Sequence, residues 1–179
     1  QMVFNACAMT VDGSACIAGC GDGSIRLFDA ASGAERFSVH AHDQGVTSVA
    51  VSEDGRFIAS AGQDNAVRVA QANDGKETNT FEGHEGTVRA VAFTSDSHSV
   101  LSASDDGTVR LWPLDGSSLP ELLGSSEDGV SAVAVSADGQ YVVRGGWNSL
   151  VTVWSLPRRA ELRRMEGHEG PVHSVAVSP

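Results

Sequence analysis

Lysine is almost missing from this chain. Its 179 residues hold 12 Lys and Arg together against 23 Asp and Glu, a net charge of −11, and Lys76 is the one lysine. Nucleic-acid binding draws most of its affinity from a basic stripe that neutralises phosphates, and no such stripe is present. The acidic balance favours solubility and disfavours anionic membrane surfaces. Cysteine is scarce too. Cys7, Cys16 and Cys20 are an odd set at irregular spacing, which is not a disulfide framework. Cys16 and Cys20 fall in one predicted strand, about 13 Å apart at about 3.3 Å per residue, too far to bridge. Thiols used as small apolar residues point to a reducing, intracellular setting.

Other signals are also lacking. No apolar run nears the roughly 18 residues of a membrane helix, and no signal-peptide pattern opens the given sequence. No stretch keeps a helical period; Leu162 and Met165 stand at helical spacing too briefly to outweigh a strand register. No nucleophile elbow, HExxH, P-loop or GxGxxG stands in a strand–turn–helix context. Gly19-Cys20-Gly21-Asp22-Gly23 is glycine-rich, but no helix follows to offer its N-terminus to a phosphate, so it reads as a hairpin turn.

What the chain does have is a period. His42, His84, Ser126 and His168 share one register at a step of 42 residues. Asp22, Asp64, Asp106 and Asn148 share a second, and Phe28, Ala70, Trp112 and Trp154 a third. Three independent markers with one period mean a repeat architecture. Each unit reads as four short alternating strands separated by turn residues, such as Asp54-Gly55, Asn73-Asp74-Gly75 and Asp138-Gly139. Expected units span about 4–45, 46–87, 88–129 and 130–171 within a 1–179 repeat region, with 172–179 matching the opening strand of a fifth. In the third unit the outer strand is expected over Leu119 to Leu123, interrupted by Pro120, a residue tolerated on an edge. Small residues on one face and large ones on the other indicate sheets sandwiched between sheets, since a single-sided sheet would be polar on its second face. The expected fold class is all-β, a stack of four-stranded antiparallel sheets.

The third unit, Gly83-His84, then Ser102, Asp106 and Trp112, closely resembles the WD-repeat (WD40) β-propeller family, and the resemblance covers nearly the whole chain. It implies a hydrogen-bonded structural tetrad of His84, Ser102, Asp106 and Trp112. The second unit keeps His42, Ser60 and Asp64 with Ala70 in the Trp slot. The first keeps Asp22, with Ala18 and Phe28; the fourth keeps Trp154, with Ser126, Arg144 and Asn148. The resemblance also implies blades of a seven- or eight-bladed ring. Four units and a fraction then suggest a fragment, a chain seen in part, or two such pieces pairing into one closed ring.

Each singled-out residue has a plain reading beside a sharp one. The register histidines could ligate a metal, but one per sheet diverges around the array, so no metal is expected. The register aspartates could be catalytic carboxylates, but that chemistry needs two facing one substrate, whereas one per unit serves a turn. Arg158, Arg159, Arg163 and Arg164 either guard an outer edge or meet an acidic partner. Trp147 stands where a small or acidic turn residue is usual. In the family, that position and those flanking the first valine of each opening strand point onto one face of the ring. Here they include Thr47, Gln63, Arg89, Asp105, Ser131, Trp147 and His173. Exposed Trp and Arg are types that anchor interfaces, so this set is the expected partner-binding face, Trp147 packing under a loop being the alternative.

The resemblance implies a non-catalytic scaffold or adaptor that docks proteins or peptides within an intracellular, cytoplasmic assembly, which could also be cytoskeletal or nuclear. No cofactor, nucleic acid or membrane is expected. A structural component of a cytoskeletal or ciliary assembly is one alternative. Another is an enzyme with its site in the central channel, which would need titratable groups where the strands show Val, Ala and Ser.

Overall fold

Alternation of apolar residues, broken by Asp, Asn and Gly, sets strands rather than helices along the whole chain. The computed structural model describes residues 3–178; positions 1, 2 and 179, part of the expected 1–179 extent, lie outside the described residues. The first sheet holds β1 (Phe4–Met9), β2 (Ala15–Cys20), β3 (Ser24–Asp29) and β4 (Glu35–His40). The second holds β5 (Val46–Val51), β6 (Phe57–Gly62), β7 (Val67–Gln71) and β8 (Glu77–Phe81). The third holds β9 (Val88–Phe93), β10 (Ser99–Ser104), β11 (Thr108–Pro113) and β12 (Glu121–Ser125). The fourth holds β13 (Val130–Val135), β14 (Tyr141–Gly146), β15 (Val151–Ser155) and β16 (Ala160–Met165). Every sheet is an antiparallel meander with its strands in chain order, and no helix occurs among the described residues. The molecule is all-β, built as propeller blades.

The core lies between sheets rather than within one. Ile17, Ile25 and Leu27 of the first sheet pack against Val46, Val49 and Ile58 of the second. Ala59, Ala61, Val67 and Val69 of the second pack against Val88, Val91 and Val100 of the third. Leu101, Ala103, Val109 and Leu111 of the third meet Val130, Val133 and Val142 of the fourth. Successive residues of a strand point to opposite faces, so Ile58 looks back to the first sheet and Ala59 forward to the third. Inner strands β1, β5, β9 and β13 neighbour one another in that order, which places them along one axis.

The turn between the second and third strands of each sheet needs a left-handed residue. Gly23 and Gly107 supply it at φ 84° and 81°, while Asn65 and Ser149 adopt φ 65° and 63° at the matching places. At Gly107 a Cβ would also strike the Ser126 carbonyl oxygen, so any side chain there is excluded twice over.

Two strand expectations are corrected. Pro120 does not interrupt the outer strand of the third sheet; β12 begins one residue after it, because the missing N–H delays pairing to Glu121. Residues 171–178 form no strand. Val172 is nevertheless buried against Gly145 and its N–H donates to the Gly146 carbonyl at 3.1 Å. One anchored residue with no strand alongside it makes no ladder.

Candidate functional site

Four β-bulges build one face of the molecule. In each sheet the inner strand starts with a paired residue, skips the next, then resumes pairing: Phe4 then Ala6, Val46 then Ser48, Val88 then Ala90, Val130 then Ala132. The skipped residues are Asn5, Thr47, Arg89 and Ser131. A bulge leaves its extra residue out of the ladder and re-aims it. All four, with Gln63, Trp147 and His173, line one open hollow of about 340 Å³.

Three of the bulge residues also reach the next stretch of chain along the axis, two of them tying sheet to sheet. Asn5 Nδ2 donates to the Val46 carbonyl of the next inner strand at 3.0 Å. Thr47 Oγ1 donates to the Val88 carbonyl, and Ser131 Oγ to the Val172 carbonyl. Arg89 is the exception. It forks onto Asp105, with Nε 2.9 Å from Oδ1 and Nη2 2.6 Å from Oδ2. That hydrogen-bonded carboxylate pushes the Arg89 guanidinium further above the usual arginine value. Trp147 Nε1 donates to the same Asp105 Oδ1 at 3.1 Å. The Arg89 guanidinium lies 5.8 Å from the Trp147 ring, and His173 meets that ring edge-on at 5.4 Å. Trp147 stays 38% exposed, and only a glycine at 129 allows its approach. The result is a held but uncovered aromatic plate, its polar neighbours paired among themselves.

Beneath this face lie buried polar chains. In the third sheet Trp112 Nε1 donates to Ser102 Oγ at 2.8 Å, Ser102 lies 2.7 Å from His84 Nε2, and His84 Nδ1 lies 2.8 Å from Asp106. In the second sheet His42 lies 2.9 Å from Ser60 and 2.8 Å from Asp64. His42 and His84 come from the loop leaving one sheet and bond the next one. Burial lowers both imidazoles below the usual histidine value, although the aspartates oppose this. Burial works to raise the Asp106 carboxyl, but hydrogen bonds from Thr108 and His84 outweigh it and bring it down to about 2.

The sequence profile described as "WD domain, G-beta repeat" matches residues 33–69, 75–113 and 116–155, well over half of the chain. The chain belongs to the WD-repeat family. No curated protein matches it. Each matched stretch runs from around one outer strand to the third strand of the following sheet, the span whose loop residue meets the turn residue: His42 with Asp64, His84 with Asp106, Ser126 with Asn148.

The WD-repeat pattern is unevenly filled. In the first sheet Asp22 caps its own turn, with Oδ1 accepting from the Ser24 N–H at 3.0 Å and the Ser24 hydroxyl at 2.6 Å. In the fourth, Asn148 Nδ2 donates to Ser126 Oγ at 3.2 Å, Arg144 Nε donates to Thr152 Oγ1 at 2.6 Å, and Trp154 Nε1 is buried without a partner. Among the described residues no three His, Cys, Asp or Glu stand close enough to hold a metal ion. Two of the four clustered arginines are paired, Arg159 with Glu121 at 2.9 Å and Arg164 with Glu161 at 3.3 Å. The residues singled out for the face do converge there, Asp105 from behind Arg89 and Trp147. Sequence reasoning missed Asn5, although it stands one period before Thr47. It also missed Thr108, whose hydroxyl donates to Asp106 at 2.6 Å and lies 3.1 Å from His84.

Proposed function

We propose that this chain is a non-catalytic protein–protein interaction scaffold within an intracellular multiprotein assembly, and that it docks a protein or peptide segment on the bulge-lined face. WD-repeat domains are generally such scaffolds. The supporting observation is the plate of Trp147, held by Asp105, Arg89 and His173 yet left open at the hollow. A half-exposed indole fixed in place gives up little entropy on contact, which is why Trp and Arg dominate interface energetics. Because Arg89 is already neutralised by Asp105, the face suits an apolar or aromatic anchor flanked by backbone polar groups, not a strongly charged one. Three unpaired cysteines, Cys7, Cys16 and Cys20, accord with the intracellular setting. No helix among the described residues is long and apolar enough to cross a membrane.

The test is quantitative capture of partners by the wild-type chain, Trp147→Ala and Thr78→Ala, the last lying on an outer strand. Loss of the captured set with Trp147→Ala, at unchanged melting temperature, is the expected result. Unchanged capture with a lowered melting temperature would make Trp147 a packing residue and sink the reading.

A further inference from the structure

The fourth sheet differs from its neighbours in three linked ways. In the second and third sheets a serine on the second strand faces an arginine on the third: Ser60 opposite Arg68, Ser102 opposite Arg110. In the fourth the two sides are exchanged, with Arg144 on β14 opposite Thr152 on β15. The histidine slot holds Ser126, which is too small to fill it, and the aspartate slot holds the uncharged Asn148. One cation has therefore moved inward while the bulky ring and the carboxylate beside it have gone.

A hollow of about 280 Å³ stands there, lined among others by Ser126, Arg144, Asn148, Thr152 and Arg164. Arg144 is only 8% exposed. Its Nε–H is satisfied by Thr152, and Nη1 is buried with no partner. The arginine of the second sheet reaches an acid, Arg68 meeting Glu77 at 3.2 Å. The matching acid of the fourth sheet, Glu161, is taken by Arg164. Arginine stays protonated in proteins, so a charge sits desolvated with no carboxylate bonded to it, a costly state unless something completes it. The Trp154 ring, 5.6 Å from the guanidinium, offsets part of that cost but accepts no N–H in the plane of the fork. Exposed Glu127 and Asp128 border the opening and would screen out large polyanions without reaching Nη1 by any hydrogen bond.

We propose that this hollow is an oxyanion-binding site, taking a phosphate- or sulfate-sized group on Arg144, with the Ser126 hydroxyl and the Asn148 amide as further donors. The shared chemistry is a compact oxygen anion that matches the guanidinium fork. Its source is a free ion or a phosphate monoester carried by a partner. The site is independent of the aromatic face.

Calorimetry on the whole chain decides it, titrating inorganic phosphate and, separately, phenyl phosphate, against sodium chloride at equal ionic strength. Saturable phosphate binding absent with chloride is expected, weakened at least about tenfold by Arg144→Met, the loss of a charge-assisted bond. Binding of phosphate alone assigns a free ion; binding of both assigns a site open to an ester. Since Arg144→Met could unfold the sheet, the side-chain Nε–H resonance of Arg144 is followed in the wild-type protein as well. No saturable binding, a variant that binds as the wild type does, or an Arg144 resonance unmoved by phosphate overturns the proposal.

Discussion

The indole N–H of Trp112 donates to Ser102 Oγ, at the far end of a buried chain that closes on the Asp106 carboxylate. A carboxylate can only accept, so His84 keeps a proton on Nδ1 for Asp106. Burial disfavours a second ring proton, so Nε2 accepts from the Ser102 hydroxyl, while Ser102 Oγ accepts from the indole. In the second sheet Ala70 replaces the indole, so Ser60 answers to His42 alone.

Ser102→Ala should accordingly cost more than Ser60→Ala. The first strands both the Trp112 N–H and His84 Nε2, about 2–5 kcal/mol; the second strands His42 Nε2 alone, about 1–3 kcal/mol. Urea unfolding midpoints of the two variants compare them. Equal losses would mean that the indole bond adds nothing.

Acid should weaken the fold in two stages. Both buried imidazoles titrate below the ordinary value of 6.5, so under pH 6.5 the unfolded chain binds more protons than the folded one. Stability therefore falls as pH drops below 6.5. A second loss starts below 3.8 and runs to about 2, where the folded Asp106 takes its proton. Denaturant unfolding between pH 7.5 and about 2 checks both windows; a flat profile from 7 to 5 would contradict the first.

Gly129→Ala should dislodge Trp147. A Cβ there would stand 2.6 Å from the indole Cδ1 and 3.0 Å from the Asp105 Cα. The ring must swing away and release Asp105, at about 1–3 kcal/mol for an overpacked contact. Tryptophan fluorescence shifted to the red, with a lower melting temperature, is the expected signature.

Thr47→Val keeps shape and removes a hydroxyl shared between the Ala61 and Val88 carbonyls. A loss of about 0.5–1.5 kcal/mol is expected. Amide exchange should quicken on the inner strands β5 and β9 before it does on the outer strand β8.

Much of the fold was legible because one period runs through every level of it. Asp22, Asp64 and Asp106 recur with their turns, and apolar residues alternate on both strand faces, so the two-sided sheets follow from arithmetic. The limits of legibility are local and physical. Pro120 shifted β12 because a proline sets where pairing can begin, which spacing does not show. Residues 171–178 carry a strand-like pattern, but a strand is made by its neighbour. The face residues were legible as positions, yet nothing in the sequence marks a bulge, so the hydroxyls of Thr47 and Ser131 proved to be bound to carbonyls rather than offered outward. Arg144 read as a departure from the pattern; only the exchange across β14 and β15 reveals that its charge is buried.

The loops that carry His42 and His84 leave one sheet and lock onto the next. Anyone transplanting a repeat would do wrong to cut it at the visible gap between sheets, because the graft would arrive without the imidazole its own aspartate requires. A cassette taken from Gly75 to Pro113 brings its latch along, at the expense of borrowing an edge from the host.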